Sequence, residues 1–226
     1  MKYLIVVAHP DDEVLGAGGS IYKWTRDGAE VDVCFLSAEA RARAARPDDE
    51  GLNKDMNDAC HFVGINEIYE FSFPNIEMNT VSHLKLVQAV EQAIIKSKPD
   101  IVITHHPADP NNDHHQTSIA CQAAIRIHQR RPELKRINEV WFMEVPSSTE
   151  WDINSALNRF VPNCYVELGP EGLDAKLKAL EMYHGVMRPY PHPRSREYIT
   201  GLAATRGAEW GLNYAEAFQV VLRNYV

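Results

Sequence analysis

The stretch Tyr3-Leu-Ile-Val-Val-Ala-His-Pro-Asp-Asp-Glu13 decides the fold of this 226-residue chain. Its first six residues form a continuous apolar run, which is typical of a strand covered by helices on both of its faces. Polar and acidic side chains, from His9 to Glu13, follow the run without a spacer. The stretch therefore predicts a central strand that ends directly in a polar loop.

The rest of the chain repeats this alternation of strand and helix. Short runs rich in β-branched residues predict further strands at 31–36, 65–71, 100–104, 139–144, 164–168 and 218–222. Helical patterns lie between them at 14–28, 49–63, 81–98, 114–129, 173–184 and 195–207. Such an order is the signature of βαβ units, which build a parallel sheet with helices on both faces. We therefore predict a single domain over residues 1–226 with a doubly wound, Rossmann-like α/β fold and a mostly parallel sheet.

The composition excludes several classes of partner. Hydrophobic residues make up 45% of the chain and charged residues 24%, which is ordinary for a globular domain. The 31 acidic residues outnumber the 23 Lys and Arg residues, so the formal charge of -8 would repel a phosphate backbone or an anionic membrane surface. We expect neither a nucleic-acid partner nor a membrane partner.

Two further features indicate the compartment. No apolar run approaches the roughly 18 residues that a membrane span needs, and residues 3–8 are too short for the core of a signal peptide. The four cysteines (Cys34, Cys60, Cys121 and Cys164) contain no C-x-x-C pair, so we predict buried reduced thiols. Together these features predict a cytoplasmic protein.

The predicted sheet brings two polar loops to one edge, because the carboxyl ends of parallel strands lie together. Loops 9–13 and 105–115 follow the first and fourth predicted strands. With the strand order 3-2-1-4-5, these two strands are neighbours whose connections leave towards opposite faces, which opens a crevice for ligands. Arg41 follows the second strand at the same edge and is a candidate contact for an anionic or hydroxylated substrate.

Three residues of these loops form a candidate metal set. Catalytic zinc commonly takes two imidazoles and a carboxylate and leaves a fourth position for water, and His9, Asp12 and His114 supply such a set. His9 and Asp12 are three residues apart at a strand-to-helix turn, so one turn can bring both to a point while His114 arrives from the other loop. Nitrogen and oxygen donors without thiolate suit Zn²⁺, and they also accept Mn²⁺, Fe²⁺, Co²⁺ or Ni²⁺.

Asp11 lies beside this set and is not needed to complete it. A carboxylate next to metal-bound water is what a general base requires, so we predict that Asp11 takes the proton of the attacking water. Two other interpretations of the same loop exist. Asp11 or Asp12 could cap the following helix, and Gly16-Ala-Gly-Gly19 could form a nucleotide-binding loop, although it lacks the G-x-G-x-x-G spacing.

The motif Ala8-His-Pro-Asp-Asp-Glu13 resembles the signature of the LmbE/PIG-L deacetylase family, which includes enzymes that act on N-acetylglucosaminyl conjugates and chitobiose. The resemblance continues, more weakly, at Asn111-Asn-Asp-His114, His192-Pro-Arg-Ser195 and Tyr214-Ala-Glu-Ala-Phe218. It implies the same zinc ligands and the same base that the chemistry of the residues indicates. Family members often form trimers or hexamers, so the resemblance also implies a homo-oligomer.

One position departs from the family pattern. The family's second motif reads His-Pro-Asp-His, and Asn111 stands where its first His helps to stabilise the oxyanion. Asn donates a hydrogen bond but brings no positive charge, so the role could pass to His105, His106, His192 or Arg194. Asp113 is expected to orient a ligand or a neighbouring residue. We therefore predict Asn111 and Asp113 as catalytic-site residues, and we predict three further substrate contacts, His106, His192 and Arg194.

The residues predict a zinc-dependent hydrolase, and the resemblance implies that it removes an N-acetyl group from a small-molecule amino sugar or glycoconjugate and releases acetate. Two alternatives come from other classes. Asn111 favours a metal-stabilised sugar-binding module without turnover, and the glycine run favours a nucleotide-binding oxidoreductase. The oxyanion position is thus the feature on which the choice between enzyme and binding module depends.

Overall fold

The helices and strands follow the predicted order along the chain. The computed structural model describes residues 1–39, 49–153 and 159–224. Its strands are β1 (Lys2–Val7), β2 (Glu30–Phe35), β3 (Glu67–Glu70), β4 (Ile101–His105), β5 (Glu139–Met143), β6 (Cys164–Glu167) and β7 (Ala215–Arg223). Its helices are α1 (Asp12–Arg26), α2 (Asp49–Val63), α3 (His83–Ser97), α4 (Asn112–Ala124), α5 (Ile127–Arg130), α6 (Gly169–Met182) and α7 (Arg196–Ala208). Short 3-10 turns lie at Met78–Thr80 and Thr149–Trp151.

Within the described residues, the strands form one sheet with the order β3-β2-β1-β4-β5-β7-β6. The pairs from β3 to β5 are parallel, whereas β7 runs antiparallel to both β5 and β6. The predicted 3-2-1-4-5 order and the mostly parallel sheet are therefore confirmed. Because β1 and β4 are neighbours, the loops that follow them open side by side at the carboxyl edge, where the strand order reverses.

Strand β1 separates two hydrophobic cores. Ile5 and Val7 point into the core shared with α1, α2 and α6, whereas Leu4 and Val6 point into the core shared with α3 and α4. All four side chains are fully buried, and each such burial contributes roughly 1.5–3 kcal/mol relative to an exposed side chain. Burial on both faces explains the continuous apolar run in the sequence.

The glycines of α1 let this helix approach its neighbours closely. A Cβ at Gly16 would lie 2.5 Å from Sδ of Met143 in β5, and a Cβ at Gly19 would lie 2.7 Å from Cδ1 of Leu168. Both glycines are buried in the interior of the helix and do not form a loop. The nucleotide-binding interpretation of this run is therefore wrong, since the glycines serve helix packing.

Most helices differ from their predicted bounds by one to four residues, and α6 differs most, since it begins at Gly169 rather than at residue 173. Helix α1 begins at Asp12 rather than at residue 14, because the chain enters the helix at Asp11. The single helix predicted over 114–129 begins at Asn112 and is divided into α4 and α5. The division falls at Ile125 and Arg126.

Two further expectations concern membranes and cysteines. No helix in the described ranges is long and apolar enough to cross a membrane.

All four cysteines are free, as predicted, and Cys164 is only partly buried.

Candidate metal centre

The turn from β1 into α1 places two acidic residues at the carboxyl edge of the sheet. Asp12 is the first residue of α1, and its Oδ2 accepts a hydrogen bond from the backbone N–H of His9 at 2.9 Å. Asp11 occupies the N-cap position, but its side chain makes no capping hydrogen bond. The helix-cap interpretation is therefore wrong for Asp11, and the Asp12 carboxylate is turned towards His9.

His9, Asp12 and His114 bring their possible ligand atoms within 4.8 Å of one another. Oδ2 of Asp12 lies 3.4 Å from Nδ1 of His9 and 3.2 Å from Nε2 of His114. All three side chains are buried. The loop after β1 and the first turn of α4 thus form one cluster, which we call the ligand cluster.

The hydrogen bonding of the ligand cluster fits a bound cation. His9 Nδ1, Asp12 Oδ1 and His114 Nε2 are buried and make no well-aligned hydrogen bond in the described part of the chain, although both ring nitrogens face Asp12 Oδ2. A buried polar atom without a partner costs about 1–3 kcal/mol, so three such atoms in one cluster need a common partner. A divalent cation that accepts nitrogen and oxygen ligands, such as Zn²⁺, is that kind of partner.

Each histidine of the cluster is oriented from behind by a carboxylate. Oδ2 of Asp113 lies 2.9 Å from Nε2 of His9, and Oδ2 of Asp109 lies 3.0 Å from Nδ1 of His114. When one ring nitrogen donates a proton to a carboxylate, the other nitrogen of a neutral imidazole keeps its lone pair. The two carboxylates therefore favour the tautomers that present Nδ1 of His9 and Nε2 of His114 to a metal ion.

Asp113 is held in place by backbone groups. Its oxygens accept hydrogen bonds from the N–H groups of Ile76 at 2.6 Å and Met78 at 3.0 Å. Ile76 has a φ of 64°, which is rare for a β-branched residue. The loop after β3 therefore holds the Asp113 carboxylate through two backbone N–H groups.

Asp109 is held by two hydroxyl groups, and sequence reasoning missed all three residues. Its carboxylate accepts hydrogen bonds from the Ser148 hydroxyl and from Oγ1 of Thr149 at 2.9 Å. Asp109 could have been found as the other acidic residue of the polar loop after β4. Ser148 and Thr149 carry no such signal, because hydroxyl side chains after a strand are common in loops.

The charges of the cluster shift its pKa values. Burial alone would raise the pKa of Asp12, but His114, His9 and His105 outweigh this effect and hold it well below its usual value. Burial alone would lower the pKa of His114, but Asp12 and Asp109 raise it to about 10. Without a metal ion, His114 therefore holds a proton at neutral pH, and a cation must displace that proton.

His105 lies against the ligand cluster. Its Nε2 accepts a hydrogen bond from the N–H of Ala8 at 2.9 Å, and its ring stacks on His114 with 4.0 Å between the centroids. Burial and the nearby His114 lower its pKa to about 3, so its imidazole is neutral. His105 thereby ties β4 to β1 and fixes the plane of the His114 ring.

Asp11, the predicted base, is fully buried next to Asp12 of the ligand cluster. Its Oδ2 lies 3.1 Å from Nη1 of Arg194, and Nε of Arg194 donates a hydrogen bond to Oγ of Ser147 at 2.6 Å. Arg194 comes from the segment before α7. The C-terminal part of the chain therefore reaches the predicted base.

Asn111 caps helix α4. Its Oδ1 accepts hydrogen bonds from the backbone N–H groups of Asp113 at 2.9 Å and His114 at 3.4 Å. The side-chain carbonyl is thus used by the helix that carries both residues. A catalytic role for Asn111 stays a prediction.

The other predicted substrate contacts have different environments. His106 is buried, with its ring edge-on to Phe142 and Phe160, and burial lowers its pKa. His192 is exposed, and its Nδ1 accepts a hydrogen bond from the backbone N–H of Arg194 at 3.0 Å. Arg41 lies outside the described residues. Their substrate contacts stay predictions.

The fold and the ligand cluster define a class of doubly wound α/β proteins with two histidines and a carboxylate at the carboxyl edge of the sheet. Residues 4–125 match the family described as PIG-L, GlcNAc-PI de-N-acetylase. This match covers more than half of the chain, and the chain belongs to that family. The resemblance noted in the sequence is confirmed.

Several solved structures share this fold. The conserved protein TT1542 from Thermus thermophilus is 21% identical, with a TM-score of 0.80 over 99% of this chain and 96% of that chain. N,N'-diacetylchitobiose deacetylase from Pyrococcus horikoshii is 20% identical, with a TM-score of 0.77 over 98% and 84%. GalB, the 4-carboxy-2-hydroxymuconate hydratase from Pseudomonas putida, is 20% identical, with a TM-score of 0.78 over 100% and 98%. A deacetylase and a hydratase thus share the fold, so activity must be argued from the site.

Proposed function

We propose that this chain is a metal-dependent hydrolase that removes the N-acetyl group of an amino-sugar substrate. The observation that carries the proposal is the ligand cluster, in which buried ligand atoms of His9, Asp12 and His114 converge within 4.8 Å of one another without a well-aligned hydrogen bond among the described residues. The Asp11 carboxylate beside it supplies a base. Membership of a de-N-acetylase family supports hydrolysis of an amide.

The chain's own residues divide the reaction between them. When bound by the ligand cluster, a divalent ion such as Zn²⁺ supplies Lewis acidity, which lowers the pKa of water from about 15.7 to about 7 and polarises an acyl oxygen. Asp11 takes a proton from the attacking water and returns it to the nitrogen as the C–N bond breaks. The products are acetate and a free amine.

Arg194 brings positive charge to a site where Asn111 cannot. Its guanidinium holds Oδ2 of Asp11 through a charge-assisted contact at 3.1 Å. An arginine carries five N–H donors, so further donors are available for the acyl oxygen of a substrate. We assign to Arg194 the cationic role that the family's usual histidine would have at position 111.

The proposed substrate is a small N-acetylated amino sugar or a conjugate of one, handled by a homo-oligomer. The structural likeness to a chitobiose deacetylase supports an N-acetylated sugar. His106 and His192 are the further side chains that we expect to contact it.

Metal reconstitution with an acetate assay tests this proposal. The protein is stripped with a chelator, reloaded with Zn²⁺ and incubated with N-acetylglucosamine, chitobiose and N-acetylglucosaminyl conjugates. We expect one zinc per chain and release of acetate. Asp11→Asn should bind zinc equally well but turn over about 100- to 10,000-fold more slowly, because it lacks the base. Asp58→Asn, which changes an exposed acid of α2, is the control and should keep its activity.

Two outcomes would contradict the proposal. The first is a zinc-loaded protein that binds these sugars but releases no acetate. If Asp11→Asn binds the sugars with the same affinity, the protein is a binding module. A protein that adds water to an unsaturated acid and releases no acetate would carry out chemistry of the GalB type.

A further inference from the structure

We propose that Glu13 and Tyr183 are positioning residues, which hold the backbone of Asp11 in the conformation that places its carboxylate in the site. The kinetic part of this inference rests on the proposed function. The structural part concerns the folded chain alone.

Asp11 has an unusual backbone conformation. Its φ of 112° and ψ of -27° lie on the left-handed side, where residues other than glycine are uncommon. Strained conformations of this kind persist only where the surrounding structure holds them. Asp11 is also fully buried, so its backbone N–H requires a partner inside the protein.

Glu13 supplies that partner. Its Oε2 accepts a hydrogen bond from the backbone N–H of Asp11 at 3.0 Å. Glu13 is fully buried, and it is not one of the described residues whose ligand atoms converge. The Glu13 side chain therefore folds back towards its own backbone and stabilises the turn that contains Asp11.

Tyr183 fixes the other end of the Glu13 carboxyl group. Its hydroxyl donates a hydrogen bond to Oε1 of Glu13 at 2.5 Å, across 170 positions of the chain. Tyr183 follows α6 directly and is 1% exposed. Leu177 and Leu180 of α6 lie in the same core as Leu15 of α1, so packing holds Tyr183 against the start of α1.

Both oxygens of Glu13 are thus engaged by groups of the protein itself. This arrangement gives Glu13 a positioning role rather than a catalytic one. A hydrogen-bonded series runs from α6 through Tyr183 and Glu13 to the backbone of Asp11. Loss of any step is expected to release the strained turn and displace the Asp11 carboxylate.

Four variants separate this role from general stability. Glu13→Leu has a similar size but no acceptor, and Tyr183→Phe removes only the hydroxyl. Glu13→Gln keeps an oxygen for the Asp11 N–H and an amide group for Tyr183. Tyr22→Phe is the matched control, because it removes a tyrosine hydroxyl from α1 that makes no hydrogen bond within the described residues.

In the zinc-loaded full chain, we expect Glu13→Leu to lower kcat about 100-fold, since a displacement of about 1 Å has such an effect. Tyr183→Phe should lower kcat about tenfold, while KM and zinc affinity change less than about threefold in both variants. Glu13→Gln and Tyr22→Phe should resemble the wild type. In an Asp11→Asn background, Glu13→Leu and Tyr183→Phe should lower the residual turnover less than about twofold, because they act through Asp11. An equal loss in both backgrounds would overturn the proposal.

Amide hydrogen exchange of Asp11, measured by NMR, is the second readout and needs no turnover. Exchange should be slow in the wild type, Glu13→Gln and Tyr22→Phe, and about tenfold or more faster in Glu13→Leu and Tyr183→Phe. Unchanged exchange in the latter two would overturn the proposal. A wild type that releases no acetate would disprove the proposed function, and exchange would still decide the positioning role. If thermal melting shows that Glu13→Leu does not fold, Tyr183→Phe serves for both readouts.

Discussion

At the scale of the residue, the ligand cluster depends on pairs in which a carboxylate orients a histidine. Asp109 orients His114 in this way, at 3.0 Å. The chain contains a similar pair away from the site, in which Oδ1 of Asp55 lies 2.7 Å from Nδ1 of His184. His184 is exposed, and the pair is not among the described groups whose ligand atoms converge, so it offers a comparison outside the ligand cluster.

Replacing Asp109 by Asn should weaken zinc binding about 10- to 100-fold, because His114 loses the carboxylate that fixes its tautomer. Competition with a fluorescent zinc chelator measures the change. Asp55→Asn removes the comparable pair on α2 and should leave zinc affinity unchanged. Equal affinity of Asp109→Asn and the wild type would contradict the orienting role that we give to Asp109.

Zinc affinity should also depend on pH through His114. Its pKa is raised to about 10 by Asp12 and Asp109 against the opposing effect of burial. At pH below this value the ring holds a proton that zinc must displace, so the apparent affinity should rise about tenfold for each unit of pH. Chelator competition at pH 6, 7 and 8 gives the slope. A flat slope in the wild type would contradict the expectation.

The sequence revealed site residues whose positions follow from strand order, and it did not reveal contacts between residues far apart in the chain. His9 and Asp12 sit within one turn, and His114 follows the neighbouring strand, so strand order alone brings them together. Glu13 meets Tyr183 across 170 positions, and that contact depends on how α6 packs on α1. Side-chain contacts set by packing leave no local pattern in a sequence.

At the scale of the element, helix α4 positions two of the side chains at the candidate metal centre. It carries Asp113 and His114 in its first turn, directly after the cap at Asn111. The sequence pattern predicted a helix here but put its start at residue 114. The true start lies directly after the cap at Asn111, a residue that the resemblance to the family places in the catalytic site.

Asn111→Ala should destabilise the metal-free protein by about 0.5–2 kcal/mol, because α4 loses its N-cap. Asn111→Asp should keep most of the stability, since aspartate is an equally good cap. Urea unfolding followed by circular dichroism measures both. If Asn111→Asp keeps its stability but loses activity, the Asn111 amide has a role in the reaction beyond capping.

At the scale of the whole molecule, the βαβ pattern was sufficient to predict the sheet order from β3 to β5. The pairing of β7 between β5 and β6 was not predictable from that pattern. These strands are antiparallel, and no crossover rule fixes the place of an antiparallel strand. The loop between β5 and β6, which contains Ser148, could not be placed for the same reason.

Removal of the metal should lower the stability of the whole domain, because the ligand cluster joins the loop after β1 to helix α4. Zinc at about 1,000 times its Kd stabilises a folded protein by about 4 kcal/mol, which corresponds to a rise in Tm of about 10 °C for a chain of this size. Scanning calorimetry with zinc and with excess chelator measures the difference. His114→Ala should melt at the same temperature in both conditions, and an equal Tm in the wild type would contradict the proposed cluster.

The residues of the site come from two parts of the chain, the family-matched part and the part that follows it. The residues of the ligand cluster and Asp11 all lie within the family-matched residues 4–125, whereas Ser148, Tyr183 and Arg194 come from the part that follows. In the proposed reaction, the first part would hold the ion, and the second part would position the base and the substrate.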